Sequence, residues 1–289
     1  LMLNKKLSII YLLMSFAMLS WTVAWTSAKI VNNYLSFYNL IFLRFTFGFI
    51  FLIPFILKKN IIKKISLQNL KYIIITSILF FIYNIAFFKG TYYGLAGKGA
   101  ILVTTINPLI TLIIMSIINK KISKNEILGM SFGFIGGMII IDIINAGIGS
   151  IILLENIYFL ICAITWGIIT VLTNYGQKTL ESYIFIFSCY LLTAFIAIFY
   201  IDFSEFNIVK LDWKFYFNFF IVSIGAMAIG TSIYMYATKI LGPIKSSAFI
   251  FSVPLLAITT AYIFLNEPLT VNVTIGGILS LIGVYLANK

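Results

Sequence analysis

Long apolar stretches alternate with short polar turns along the whole chain. The stretches run for roughly 18–24 residues, long enough as helices to cross a ~30 Å hydrocarbon core. They are apolar nearly all round, without the polar stripe of a helix lying on a soluble core. The pattern predicts ten helices, over residues 7–28, 38–57, 70–88, 99–118, 126–144, 152–173, 183–201, 214–236, 246–265 and 272–287. The longest polar connections, 58–69 and 202–213, are too short to be domains.

The ten segments fall into two sets of five that share landmarks. Trp21 and Trp166 stand 145 residues apart, Pro108-Leu109 and Pro254-Leu255 stand 146 apart, and Gly129 and Gly136 precede Gly276 and Gly283 by 147. With 4 Trp and 5 Pro in the chain, agreement of both rare types at nearly one offset points to internal duplication. The expected architecture is an all-α integral membrane protein of ten transmembrane helices, with one repeat over 1–146 and a second over 147–289. Five is odd, so a unit that enters on one side ends on the other and its copy crosses upside down. The repeats are therefore inverted, and the site is expected between them. Helices five and ten carry Gly129, Gly133, Gly136, Gly137 and Gly276, Gly277, Gly283 at small-residue spacing, which suits close packing or a homodimer face.

Composition supports the membrane assignment: 62% of residues are hydrophobic, 10% are charged and mean hydropathy is +1.08. The formal charge of +12 does not call for nucleic acid, because its distribution is that of a membrane topology. With the N-terminus inside, Lys5, Lys6, Lys58, Lys59, Lys63, Lys64, Lys71, Lys120, Lys121, Lys124, Lys178, Lys239, Lys245 and Lys289 fall on the cytoplasmic side. Only Lys29, Lys89, Lys98, Lys210 and Lys214 fall opposite, with Asp142, Glu155, Asp202, Glu205, Asp212 and Glu267. Both termini are thus expected in the cytoplasm. Lys5 and Lys6 before an apolar run resemble a signal peptide, but the run is long and contains Trp21, so it reads as the first helix. Cys162 and Cys189 lie within predicted helices and read as core packing.

Arg44 is the only arginine and the only charge well inside a predicted span. A buried guanidinium needs a polar cavity or a partner. Two readings stay open: a structural arginine on helix-end carbonyls, or a fork for a substrate carboxylate or phosphate. Pro108 and Pro254 each free a backbone carbonyl in matching helices, with Thr104, Thr105, Asn107, Ser246, Ser247 and Ser252 around them. Interrupted helices at matching positions mark the expected site, with a packing kink as the plainer account. Trp21, Trp25 and Trp166 are aromatic candidates, Asn84 and Asn174 polar ones, and Tyr83, Tyr234 and Tyr236 possible wall residues. There is no histidine, and no carboxylate lies near a predicted midplane, which disfavours a carboxylate proton relay. Nucleophile–base pairs, phosphate loops and metal-ligand clusters are missing from the sequence, so no catalytic role, metal or cofactor is expected.

Ten helices in two five-helix repeats, a Trp in the first helix of each, the Leu43-Arg44-Phe45 step, the Pro-Leu pairs and Asn266-Glu267-Pro268 followed by Gly276-Gly277 resemble EamA-type members of the drug/metabolite transporter superfamily. The resemblance covers essentially the whole chain. Two positions depart from the repeat pattern: Lys120-Lys121 stand opposite Glu267-Pro268, and Cys189 stands where Arg44 would recur. The resemblance implies a secondary carrier moving a small metabolite, such as an amino acid or derivative, by alternating access, and export rather than import. Uptake of S-adenosylmethionine, a nucleobase or a vitamin is the alternative. Substrate-binding candidates are Arg44, Trp21, Trp166, Thr104, Asn107, Pro108, Asn84, Ser247, Pro254 and Tyr234. The expected partners are the small-molecule substrate and the lipid bilayer, not nucleic acid. A membrane enzyme would need a polar catalytic cluster that the sequence lacks, and a non-transporting scaffold would not need the duplicated proline-bearing core.

Overall fold

A computed structural model describes residues 2–57, 65–119, 122–140, 142, 156–205, 211–256 and 271–289. Ten helices are present among them: α1 (Met2–Val31), α2 (Phe37–Ile56), α3 (Leu67–Tyr93), α4 (Ala96–Asn119), α5 (Lys124–Ile140), α6 (Ile157–Gly176), α7 (Ser182–Ala197), α8 (Trp213–Leu241), α9 (Pro243–Leu256) and α10 (Val271–Asn288). Eight are long and apolar enough to cross a membrane. The expectations placed on 58–64, 120–121, 143–155, 206–210 and Asn266-Glu267-Pro268 lie outside the described residues.

Local chemistry sets several helix starts. The Ser66 hydroxyl accepts from the Asn69 amide while the Asn69 side chain accepts from the Ser66 amide, a reciprocal cap on α3. Ser123 and Glu126 cap α5 in the same way. The Asp212 carboxylate accepts from the Phe215 amide and opens α8. Between α8 and α9 the turn is a single residue, Gly242, at φ 84° and ψ 164°, which a side chain would oppose, and Pro243 then starts α9.

Side chains sort for a bilayer rather than for water. Phe55, Ile117, Ile135, Phe195, Phe217, Ile278 and Tyr285 stand exposed on the outside of the bundle, whereas Asn69, Asn84, Thr76 and Thr170 are buried within it. Helices α5 and α10 pack through their glycines. A Cβ on Gly136 would lie 2.5 Å from the Gly276 carbonyl oxygen, and one on Gly129 would lie 2.4 Å from the Ala287 nitrogen. The glycine faces thus meet within one chain, and Ile127, Leu128, Ile275 and Leu281 are left on the exposed surfaces of the pair.

Two helices differ from the sequence expectation. Despite Pro108, α4 is continuous: the proline removes one bond, while Gly167 lets α6 approach to where a Cβ would meet Ile110 at 2.7 Å. Its partner α9 does depart from α-helical geometry, tightening to a 3₁₀ turn over Phe249–Ser252 just before Pro254. The unexpected element is in α8, where Ile221–Thr231 is π-helical between two α-helical ends.

Candidate functional site

Seven helices meet around a small internal cavity of about 40 Å³. Its walls are Trp21, Ala24 and Trp25 from α1, Arg44 from α2, Tyr83 and Phe87 from α3, and Val103, Thr104 and Asn107 from α4. Trp166 of α6, Ala226 and Thr231 of α8 and Ile250 of α9 complete it. Helices α5, α7 and α10 contribute nothing to the lining. The volume admits a water or two and no metabolite.

Arg44 enters the cavity about two turns into α2 and is 6% exposed. Its Nη1 donates to Asn84 Oδ1 at 2.6 Å and its Nε to the Val222 carbonyl at 3.1 Å. The guanidinium also lies over the rings of Phe87 and Phe88, 5.2 and 5.8 Å from their centroids. Arg44 thus braces α8 through one backbone carbonyl and α3 through the Asn84 side chain, and its guanidinium has more N–H donors than these two bonds use.

The π-helical segment of α8 is held from three sides. Arg44 Nε donates to Val222, Trp21 Nε1 donates to the Ala226 carbonyl at 3.0 Å, and the Tyr190 hydroxyl donates to the Met227 carbonyl at 3.0 Å. Thr231 Oγ1 adds a bond to Ala226 from five residues on. Donors from α1, α2 and α7 thus converge on the carbonyls of this one segment.

Aromatic rings form the floor and roof. Trp21 and Trp166 meet edge to face at 5.0 Å, Tyr234 packs against both at 5.0 and 5.8 Å, and its hydroxyl is 2.9 Å from Thr170 Oγ1. On the opposite side Trp25 packs on Phe87 and on Phe159, with centroids 4.9 and 6.0 Å away. The Phe159 ring sits in a nest of glycines: a Cβ on Gly99, Gly90 or Gly94 would approach it to 2.3, 2.6 and 3.1 Å. One cavity-lining group, Asn107 Oδ1, is buried without a hydrogen-bond partner among the described residues.

Matching clamps close the two ends. At the end carrying Asp202, Glu205 and Asp212, the acidic end, Asn32 Nδ2 donates to the Phe88 carbonyl at 2.9 Å and to Thr91 Oγ1 at 3.0 Å, and Lys29 Nζ donates to the Gly94 carbonyl at 2.9 Å. These bonds tie α1 to α3. At the opposite, basic end Gln177 Nε2 donates to the Met235 carbonyl at 3.0 Å and Asn174 Nδ2 to the Thr238 carbonyl at 2.9 Å, tying α6 to α8. Asn32 and Gln177 stand 145 residues apart, as do Lys29 and Asn174, while Phe88 with Met235 and Thr91 with Thr238 stand 147 apart. The Asn32 and Gln177 bonds are repeat images of each other, whereas Lys29 and Asn174 reach carbonyls that are not, Gly94 and Thr238.

A second tie at the acidic end joins the α1–α2 loop to the α7–α8 connection. Glu205 Oε2 accepts from the Ser36 amide and from Asn39 Nδ2, and the Tyr34 hydroxyl donates to Asp212 Oδ1 at 2.8 Å. The Phe215 amide and then Tyr34 hold the Asp212 carboxyl below the usual carboxylate range, and the same contact raises the Tyr34 hydroxyl. Ser204, through its hydroxyl and its amide, lowers Asp202 likewise.

Of the residues singled out by sequence, Arg44, Trp21, Trp166, Thr104 and Asn107 line the cavity together. Asn84 stands behind Arg44, and Tyr234 stands beneath the two tryptophans. Pro108, Ser247 and Pro254 are not among the lining. Ser247 donates to the Ile244 carbonyl within α9, which reaches the cavity through Ile250 instead. Sequence reasoning passed over Phe159 and the π-helical residues, although the repeat offset of 147 carries Asn84 onto Thr231.

Ten apolar helices in two inverted repeats, closed around a cavity of mixed aromatic and polar lining, make the architecture of a polytopic membrane transporter. The chain belongs to the EamA-like transporter family, whose pattern it matches twice, over residues 8–142 and 153–289, and so to the drug/metabolite transporter superfamily. It is 23% identical over 243 residues to an uncharacterized transporter, YoaV, of Bacillus subtilis (strain 168), covering 82% of this chain and 81% of that protein. A solved crystal structure shares the fold at a TM-score of 0.74 and 16% identity, over 97% of this chain and 96% of that one.

Proposed function

We propose that the protein is a secondary carrier that moves a small, carboxylate-bearing metabolite, such as an amino acid or a derivative, by alternating access. The repeats are taken as 1–146 and 147–289, with both termini cytoplasmic at a bacterial plasma membrane, in keeping with the lysine bias. The basic end is then the cytoplasmic end. The observation that carries the proposal is the convergence of Arg44, Asn107, Trp21 and Trp166 on one closed cavity between two repeat-related clamps. Arg44 holds the anionic group, Asn107 Oδ1 accepts from the solute's amino group, and the tryptophan rings pack its apolar part. Unpartnered buried polar atoms cost about 1–3 kcal/mol each, which a solute offering the complementary groups would recover. Release of one clamp opens the cavity to one side while the other holds. A two-fold scaffold imposes no direction, so export of the solute is set by the gradient that drives it. No catalytic chemistry is assigned to the chain.

The test uses purified protein, whose unfolding temperature a ligand of the folded state raises. Amino acids, nucleosides, vitamins and quaternary amines are screened, and each hit is repeated in Arg44→Ala and Asn107→Ala. Carboxylated amines should stabilise the wild type and lose that effect in both variants. Hits confined to solutes without a carboxylate, or hits unchanged in Arg44→Ala, would refute the assigned role of Arg44.

A further inference from the structure

Arg44 is a buried cation without a buried anion. The walls of its cavity are aromatic, aliphatic and neutral polar residues, with no Asp or Glu in the lining. Among the described residues its partners are neutral: Asn84 Oδ1, the Val222 carbonyl and the rings of Phe87 and Phe88. Dipoles and ring faces offset only part of the cost of holding a full charge away from water. The rest calls for a counter-charge.

The supply of donors points the same way. A guanidinium has five N–H groups, and the bonds to Asn84 and Val222 use two of them. Elsewhere in the lining, Trp21 Nε1 and Thr231 Oγ1 donate to the Ala226 carbonyl and Thr104 Oγ1 to the Ala100 carbonyl. Those groups are spent within the protein, and Arg44 is the charged donor of the cavity.

Size limits what the counter-charge can be. A space of about 40 Å³ admits a water or two, which excludes phosphate, sulfate and any carboxylated metabolite in this conformation. A monatomic halide, little larger than a water, fits. Asn107 Oδ1, the unpartnered acceptor of the same cavity, would repel an anion in direct contact. A water between them, donating to both, completes the site. We propose that Arg44 holds a halide, chloride in the cell, whenever the carboxylated solute is absent, and that halide and solute exclude each other. The halide site stands on the cavity alone; only the mutual exclusion rests on the proposed role of Arg44 towards a carboxylate.

The cavity carries its own reporters. Trp21, Trp25 and Trp166 line it, whereas the fourth tryptophan, Trp213, is 71% exposed. In purified, chloride-free Trp213→Phe protein the remaining tryptophan fluorescence therefore comes from the cavity wall. Bromide, a heavy-atom quencher, is titrated against gluconate at constant ionic strength. Quenching should saturate, chloride should relieve it and sulfate should not. Arg44→Gln should lose the saturable part and keep only the linear, collisional one. A linear titration in Trp213→Phe, or saturable quenching that chloride does not relieve, would overturn the halide site even if Arg44→Gln fails to fold. Saturable quenching that survives in folded Arg44→Gln would overturn its placement on Arg44. A carboxylated solute found in the ligand screen should relieve bromide quenching as chloride does, and quenching unmoved by a saturating solute would overturn the mutual exclusion. The bromide titration itself uses no solute, so the halide site can fail while the role of Arg44 towards a carboxylate stands.

Discussion

Arg44 illustrates how little room one side chain has inside a bilayer. Its two bonds, to Asn84 and to the Val222 carbonyl, fix the guanidinium against α3 and α8, and only then can it face the cavity. A lone intramembrane charge is conspicuous in a sequence, and so Arg44, Asn84 and Asn107 were legible there. Phe159 was not, since one phenylalanine among 28 carries no mark until its glycine nest is seen. Two glycines of one helix turn test that nest. A Cβ on Gly97 meets nothing within 4 Å, whereas one on Gly99 comes within 2.3 Å of Phe159. Gly97→Ala should be neutral or stabilising by up to about 1 kcal/mol, and Gly99→Ala should destabilise by about 1–3 kcal/mol, both read by denaturation of the purified protein. At the acidic end the sign of a pH effect follows from Asp212. Its carboxyl is held below the usual 3.8, so the stability it contributes is present above that value and lost as pH falls through the lowered one. The raised Tyr34 hydroxyl gives the mirror case, present below its ordinary 10.0 and lost as pH rises past it. Asp212→Asn should therefore flatten the acid limb of the unfolding temperature against pH by lowering the neutral plateau slightly, with the values at low pH nearly unchanged.

Among the elements, α8 departs furthest from what periodicity could show. A run of apolar residues reads alike as α- or π-helix, so Ile221–Thr231 gave no warning. Trp21 and Tyr190 donate to carbonyls within it, Ala226 and Met227. Trp21→Phe and Tyr190→Phe should each cost about 0.5–1.5 kcal/mol in denaturant unfolding, the usual net value of a hydrogen bond. Additive losses would mean that the two donors brace Ala226 and Met227 independently; a shortfall in the double variant would mean that the segment yields as one unit. The proline pair was only half legible. The sequence marks Pro108 and Pro254 equally, yet α4 stays regular while α9 tightens to a 3₁₀ turn.

For the molecule as a whole, the duplicated landmarks were enough to predict ten helices and their inverted pairing. What they could not show was that the repeat also duplicates a side-chain amide bond, one at each end of the bundle. Asn32, and with it Gln177, is an ordinary polar residue near a helix end until both amides are seen gripping repeat-related carbonyls on α3 and α8. Each should therefore bias the carrier in its own direction. Asn32→Ala should favour opening at the acidic end and Gln177→Ala opening at the basic end. The most direct measurement places one cysteine in the cavity, Thr104→Cys, after Cys162→Ala and Cys189→Ala remove the two buried native thiols. A membrane-impermeant maleimide is applied to intact cells and, separately, to inverted vesicles. The account expects labelling from both faces, with Asn32→Ala raising the rate from outside and Gln177→Ala raising it from inside. Labelling confined to one face in every variant, or none from either face, would contradict it.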